Sequence, residues 1–150
     1  MATDYQDFPV LYVDDEQQNL LTFRYAMEDR FKVITASRGA DALRILERED
    51  VAVLLADQRM PEMSGVEVCA AARTLRPDVL RVIVTAYADV AAAVAAINQG
   101  QVLRYFTKPW DDEEMRAALV SCIDLVQLQR TMRDMQVRLF RSGSPRIVEA

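Results

Sequence analysis

Five short, largely apolar runs that are rich in β-branched residues recur along the chain. They cover residues 9–13, 31–36, 51–56, 80–85 and 102–107. Apolar runs of this length, without regular polar alternation, are typical of strands that are buried on both faces, as in a parallel sheet. The pattern therefore predicts five parallel strands.

Segments in which apolar residues recur at helical spacing separate these runs. They cover residues 16–29, 40–49, 66–75 and 90–97. Strand and helix patterns alternate every twenty to twenty-five residues or so, which favours βαβ units with right-handed crossovers. The predicted fold class is α/β, with a doubly wound five-stranded parallel sheet in the flavodoxin-like order 2-1-3-4-5.

The last part of the chain predicts an extended C-terminal helix, because residues 111–140 can stay helical for longer than an average helix. Small and apolar residues follow the spacing of a heptad repeat within it, at Ala118, Ser121, Leu125, Leu128, Met132, Met135 and Leu139. Residues 141–146 are typical of a helix stop or linker. We expect a globular domain over residues 1–126, a helical extension that forms a coiled coil over 127–141, and a flexible tail over 142–150.

Composition narrows the class of protein. The chain has 150 residues and a net charge of −5, so it fits a single domain without a basic surface for direct nucleic-acid binding. Its apolar runs are shorter than the roughly 18–20 residues that span a bilayer, and its N-terminus does not resemble a secretory signal. Cys69 and Cys122 lack a motif spacing, which favours a reducing, cytoplasmic setting.

Polar residues stand at the ends of four of the five predicted strands. Asp14 and Asp15 follow the first run, Asp57 follows the third, Thr85 ends the fourth and Lys108 follows the fifth. Ligands of doubly wound sheets bind beyond the carboxyl ends of the strands, so we expect these side chains to converge at one edge. The chain contains no histidine, and its chemistry must therefore use carboxylates, hydroxyls, lysine or arginine.

Each of these residues also has a purely structural interpretation. Asp15 could cap the first helix, because residues 15–18 match a capping box, while Asp57 could begin a turn and Lys108 could be a surface charge. The set together favours chemistry, because three neighbouring carboxylates need a cation, and oxygen ligands suit Mg²⁺. A lysine and a hydroxyl nearby are the groups that neutralise and hold a phosphoryl group attacked by a carboxylate.

Four segments resemble the signature of response-regulator receiver domains, and the resemblance extends over about residues 8–130. The four segments are residues 12–16, 55–65, 84–86 and 105–110. A finer pattern is similar to receivers that precede hydrogenase-type transcription regulators or phosphodiesterase and cyclase outputs, at residues 57–61, 86–89, 97–100 and 104–111. No output domain of those kinds is visible in the sequence.

The resemblance implies a signalling switch that turns over no diffusible substrate. Asp57 would accept a phosphoryl group from a histidine kinase or phosphotransfer protein and later lose it by self-dephosphorylation. Mg²⁺ would be held by Asp14, Asp15, Asp57 and the main-chain carbonyl of Arg59. In this assignment Asp15 is a direct ligand, and Asp14 acts mainly through water.

The resemblance also implies how the switch responds. Thr85 and Lys108 would contact the phosphoryl group, and Tyr105 would turn inward as Thr85 moves. The bond between Lys108 and Pro109 is often cis in such domains. Arg59 and Tyr87, two positions beyond Asp57 and Thr85, are large, which predicts a long-lived acyl phosphate.

Two other classes of protein compete with this interpretation. A Mg²⁺-dependent phosphohydrolase with an aspartyl nucleophile would need a second acid two positions later, where this chain has Arg59. A constitutive dimerisation module would keep the fold without using phosphate, but such domains usually lose an acid or the lysine, and this chain keeps both. The heptad pattern itself predicts a parallel homodimer through the C-terminal helix, with a kinase or an output domain as the competing partner.

Overall fold

The structure is a computed structural model that describes residues 3–142, apart from the side chain of Tyr87. A parallel sheet in the order β2-β1-β3-β4-β5 forms its centre. The strands are β1 (Val10–Val13), β2 (Val33–Ala36), β3 (Val53–Asp57), β4 (Leu80–Ala86) and β5 (Arg104–Lys108). The predicted sheet and strand order are confirmed.

Helices cover both faces of this sheet. They are α1 (Gln17–Met27), α2 (Gly39–Arg48), α3 (Gly65–Leu75), α4 (Val90–Asn98) and α5 (Asp112–Arg141), with short 3-10 turns at Tyr5–Asp7 and Tyr87–Asp89. Helices α1 and α5 pack on one face, and α2, α3 and α4 pack on the other. The extended C-terminal helix predicted from the sequence is confirmed.

Strands β1 and β3 supply both cores with alternate residues. Val10 and Tyr12 face the core under α1 and α5, whereas Leu11 and Val13 face the core under α2, α3 and α4. Every residue of β3 is buried as well. Because a strand covered on both faces favours apolar side chains at every position, these two runs are continuously apolar up to the strand ends.

Strands β2, β3 and β5 each begin two residues later than their apolar runs predict. Phe31, Val51 and Val102 are buried but precede these strands. The main-chain N–H of Phe31 donates to Met27 at the end of α1 instead of joining the sheet. An apolar run therefore indicates burial, which extends beyond the residues that pair in the sheet.

The capping-box interpretation of Asp15 is wrong. Glu16 is the N-cap of α1, and no side chain accepts a capping hydrogen bond there. The main-chain N–H of Glu16 donates instead to Asp14 Oδ1, at 2.9 Å. A complete capping box occurs at α3, where Ser64 and Glu67 satisfy one another's main-chain N–H groups.

Helix α5 has a docked half and an exposed half. Its buried residues end at Val126, and from Thr131 onward every described residue is exposed. Asp111 caps its first turn by accepting from the N–H of Glu113. No helix within the described residues is both long and apolar enough to cross a membrane. The predicted tail over 142–150 lies outside the described residues except for Ser142.

Candidate functional site

Three carboxylates meet where β1 and β3 end. Asp14 and Asp15 directly follow β1, and Asp57 is the last residue of β3. Since β1 and β3 are parallel neighbours, their carboxyl ends lie at the same edge of the sheet. One carboxylate oxygen from each acid lies within 4.8 Å of the others.

Lys108, the last residue of β5, extends its ammonium group between two of these acids. Its Nζ lies 2.8 Å from Asp57 Oδ1 and 3.0 Å from Asp14 Oδ2. Asp14 is fully buried and Asp57 is 6% exposed, whereas Asp15 is exposed. Three ionised carboxylates beside one ammonium group leave an excess of negative charge at the site.

The burial and the charges at this site shift the pKa values of Asp57 and Asp14. Burial raises the pKa of Asp57 to about 6, and the charges of Asp14 and Asp15 act in the same direction against the lowering effect of Lys108. Burial also raises the pKa of Asp14, but hydrogen bonds and the Lys108 charge outweigh it and leave that pKa below its ordinary value. A divalent cation here would favour the ionised form of Asp57.

The donor set fits Mg²⁺. Hard cations of this kind prefer carboxylate and carbonyl oxygens, and Mg²⁺ keeps several waters when it binds proteins. Asp14, Asp15 and Asp57 supply such oxygens in one cluster, and Asp15 is open to solvent. Arg59, whose carbonyl is the remaining candidate ligand, lies in the loop between β3 and α3.

Two residues that donate hydrogen bonds to Asp14 were not predicted as part of the site. The Tyr12 hydroxyl donates to Asp14 Oδ2 at 2.6 Å, and Asn19 Nδ2 donates to the same oxygen at 3.0 Å. A hydroxyl within the first apolar run, and an amide one turn into the first helix, were the only signals in the sequence. Neither residue indicates from the sequence that Asp14 is its hydrogen-bond partner.

The two residues expected to form the switch lie on the strands beyond Asp57. Thr85 is fully buried, and its hydroxyl donates to the carbonyl of Ala86 at 3.2 Å. Tyr105 on β5 is half-buried and packs against the core under α2, α3 and α4. Both stand on neighbouring strands, since β4 pairs with β5.

An ion pair links the loops that follow β3 and β4. Arg59 Nε lies 2.8 Å from Asp89 Oδ2, and Arg59 Nη2 donates to Asp89 Oδ1 at 3.1 Å. The Arg59 side chain is nevertheless 78% exposed. The side chain of Tyr87, the other residue expected to shield the site, lies outside the described residues.

Two backbone features shape the surroundings of Asp57 and Lys108. A Cβ on Gly65 would lie 2.5 Å from the Asp57 carbonyl oxygen, so only glycine allows α3 to begin this close to the strand end. The peptide bond between Lys108 and Pro109 is cis. The close approach at Gly65 keeps the start of α3 against the end of β3 that carries Asp57.

Comparison with known proteins finds similarity over the part of the chain that contains these residues. The profile of the family described as response regulator receiver domain matches residues 10–120. The chain is 31% identical to the hydrogenase transcriptional regulatory protein HoxA of Cupriavidus necator, over 91% of this chain and 28% of that protein. It is 35% identical to the alginate biosynthesis transcriptional regulatory protein AlgB of Pseudomonas aeruginosa, over 89% of this chain and 30% of that protein.

The chain thus spans less than a third of the length of these two regulators. Among solved structures, one described as adenylate cyclase from Rhodopirellula baltica superposes with a TM-score of 0.82 and 31% identity, covering 85% of this chain and 96% of that one. A response regulator receiver domain protein from Clostridium thermocellum superposes with a TM-score of 0.76 and 26% identity, covering 81% and 98%.

Proposed function

The chain belongs to the family of response-regulator receiver domains, and from that premise we propose that it is a phosphorylation switch whose acceptor is Asp57. Phosphoryl groups come from a histidine kinase or a phosphotransfer protein. The similarity to HoxA, whose name describes a hydrogenase transcriptional regulator, supports an output in transcription through a separate domain or partner. We further propose that the protein acts in the cytoplasm, because Cys69 and Cys122 are both free thiols, as is usual in a reducing compartment.

The observation that carries this proposal is the contact between Lys108 and Asp57. A buried carboxylate at the end of the central strand is paired at 2.8 Å with a lysine that also holds a second acid. An ion pair that only stabilised the fold would match one acid with one base. Here two further acids, Asp14 and Asp15, crowd the same edge, which is the arrangement needed to gather positive charge around a transferring phosphoryl group.

The reaction follows from these contacts. A carboxylate oxygen of Asp57 attacks the phosphorus of a phosphohistidine, a P–O bond forms while the P–N bond breaks, and the electron pair leaves with the imidazole nitrogen. Lys108 neutralises oxygen charge on the transferred group. Mg²⁺, held by Asp14, Asp15, Asp57 and the carbonyl of Arg59, would supply the remaining positive charge. Water later hydrolyses the acyl phosphate.

The switch is a change in equilibrium between two arrangements of the same residues. Thr85 donates to Ala86 while Asp57 is unmodified, and a phosphoryl oxygen offers that hydroxyl a stronger, charged acceptor. Tyr105, which is only half-buried, then turns inward as Thr85 moves. The face formed by α4, β5 and α5 is repacked, and the phosphoryl group acts through its different contacts in the two states.

Labelling of the intact chain tests this function. Incubation with acetyl phosphate and Mg²⁺ is expected to add one phosphoryl mass to the wild type and to Asp50→Asn, a matched acid-to-amide control away from the site. Asp57→Asn is expected to gain nothing. A phosphorylated Asp57→Asn would contradict the acceptor assignment, and an unlabelled wild type would favour a module that keeps the fold without using phosphate.

We propose that Arg59 and Tyr87 slow the hydrolysis of the acyl phosphate. The ion pair of Arg59 with Asp89 supports this, because it spans the two loops that lie beside Asp57 and Thr85. Changing both large residues to alanine is expected to speed the decay of the phosphoryl label, followed by intact mass. An unchanged or slower decay would argue against shielding.

The exposed half of α5 supports a parallel homodimer. Its apolar stripe lies outside the core, with Leu128 56%, Met132 53%, Met135 56% and Leu139 57% exposed. A contiguous stripe of this kind is costly in water, and a second copy of the same helix buries it in a short coiled coil. Because α5 also belongs to the face that phosphorylation repacks, a dimer of this kind carries the signal along the helix.

Light scattering tests the dimer. The intact chain is expected to have the mass of a dimer, and a chain that ends at Val126, where burial of α5 ends, is expected to be a monomer. The same measurement with beryllofluoride and Mg²⁺ reports whether the activated state associates more tightly. A monomer under all of these conditions would contradict the proposal.

A further inference from the structure

The carboxylate of Asp14 is held by more donors than the proposed phosphoryl chemistry requires. Its Oδ2 accepts from Tyr12 at 2.6 Å, from Asn19 at 3.0 Å and from Lys108 at 3.0 Å. Its Oδ1 accepts from the N–H of Glu16 at 2.9 Å. The two neutral side-chain donors, Tyr12 and Asn19, have no place in the reaction described above.

Tyr12 is rigidly placed for this contact. Its side chain is fully buried, and its ring packs 4.7 Å from Phe23 and 6.1 Å from Trp110, measured between ring centroids. This packing holds the hydroxyl in place as a donor to Asp14 Oδ2.

The shared lysine explains what the neutral donors achieve. Lys108 bridges Asp14 and Asp57, so any movement of its ammonium group toward a phosphoryl oxygen withdraws a donor from Asp14. Without other donors, a fully buried carboxylate would be left unsatisfied and would hold the lysine back. Tyr12 and Asn19 keep the Oδ2 atom satisfied without cancelling its charge.

We propose that Tyr12 and Asn19 are positioning residues that orient the Asp14 carboxylate for the divalent cation and leave Lys108 free to move. The inference rests on the proposed function and deepens it. Hydrogen-bond partners of metal-binding groups fix the orientation of those groups, and losing one such partner commonly weakens metal binding by tenfold or more. Tyr12→Phe removes one oxygen atom and leaves the aromatic packing in place.

The test is the Mg²⁺ concentration at the midpoint of binding to the folded protein, measured by calorimetric titration. Tyr12→Phe is expected to move that midpoint upward by about tenfold, and Asn19→Ala by a smaller factor because Asn19 is only half-buried. The matched control is Tyr5→Phe, which also removes a tyrosine hydroxyl that donates to an aspartate, here Asp124 at 3.1 Å. Its midpoint is expected to equal that of the wild type.

A structural role alone would lower the melting temperature of Tyr12→Phe without moving the Mg²⁺ midpoint, and that result would overturn the proposal. Should Tyr12→Phe fail to fold, Asn19→Ala decides, because an unchanged midpoint in that variant also overturns it. Labelling with acetyl phosphate at saturating Mg²⁺ distinguishes a failure of the proposed function from a failure of the positioning role. A wild type that gains no label contradicts the proposed function, while the midpoints still test the positioning residues.

Discussion

At the carboxyl ends of the strands Lys108 lies between two buried carboxylates, whereas at the opposite end of the sheet Asp50 pairs with Arg130 and Arg76 near the surface. Arg130 Nη2 lies 2.9 Å from Asp50 Oδ1, and Arg76 Nη2 lies 3.7 Å from the same oxygen. The distances to Lys108, 2.8 and 3.0 Å, overlap with these. The two clusters differ mainly in burial, since the Asp50 side chain is 66% exposed and that of Asp14 is 0% exposed.

This difference decides what each cluster can do. Water and salt screen the cluster around Asp50, so its ion pairs contribute little to stability. In the cluster around Lys108, Asp14 and Asp57 are buried, so both carboxylates depend on Lys108 for stabilisation. A largely buried cluster with more acids than bases is poor at stabilising a fold but suited to binding a cation and a phosphoryl group.

The largest expected effect comes from breaking the buried cluster. Lys108→Met leaves Asp14 and Asp57 facing one another without a cation, and unfolding in urea without Mg²⁺ should show a loss of up to about 3 kcal/mol. The loss is not expected to be larger, because the Lys108 side chain is 26% exposed and solvent screens part of its interaction with the two acids. The same variant should accept almost no phosphoryl group. A Lys108→Met variant as stable as the wild type would mean that the two acids are already neutral.

An intermediate effect is expected from filling the buried cluster with its cation. Mg²⁺ at about ten times its dissociation constant should stabilise the wild type by about 1.4 kcal/mol, which a thermal melt can measure. Asp15→Ala should lose this stabilisation, because Asp15 is the exposed acid of the cluster. Asp50→Ala is the matched control and should keep it. Equal Mg²⁺ responses in both variants would argue against a metal site at this edge.

The smallest effect is expected at the exposed cluster. A double-mutant cycle with Arg130→Ala and Asp50→Ala should give a coupling energy below about 1 kcal/mol in urea unfolding, and less at high salt. The cycle is needed because Arg130 also lies over the ring of Phe8, with its guanidinium carbon 5.5 Å from the ring centroid. A coupling as large as the loss in Lys108→Met would show that burial does not separate the two clusters.

Much of the fold could be predicted because burial leaves a direct trace in the sequence. The runs that became β1 and β3 are apolar throughout since both faces of those strands are covered. Helix α5 was predicted from its length and its heptad spacing. The predicted starts of β2, β3 and β5 were less accurate, because Phe31, Val51 and Val102 are buried ahead of the strands and the sequence does not separate burial from strand pairing.

The acids and the lysine of the candidate site could also be predicted, since parallel strands bring their carboxyl ends to one edge whatever the loops between them do. The hydrogen-bond donors to Asp14 could not be predicted. Tyr12 looked like one more residue of an apolar strand, and Asn19 like an ordinary polar residue of the first helix. The hydroxyl of Tyr12 meets Asp14 only because the pleat directs it along the sheet beside Phe23.

The five strands, the polar residues Asp14, Asp15, Asp57 and Lys108 at their ends, and the length of α5 follow from features within single segments: the period of apolar residues and the residue at the end of each run. The direction of the Tyr12 side chain beside Phe23, the pairing of Arg59 with Asp89 and the burial limit of α5 at Val126 depend on packing between segments. A hydrogen bond acts over about 3 Å, and only the folded chain determines which distant groups come that close.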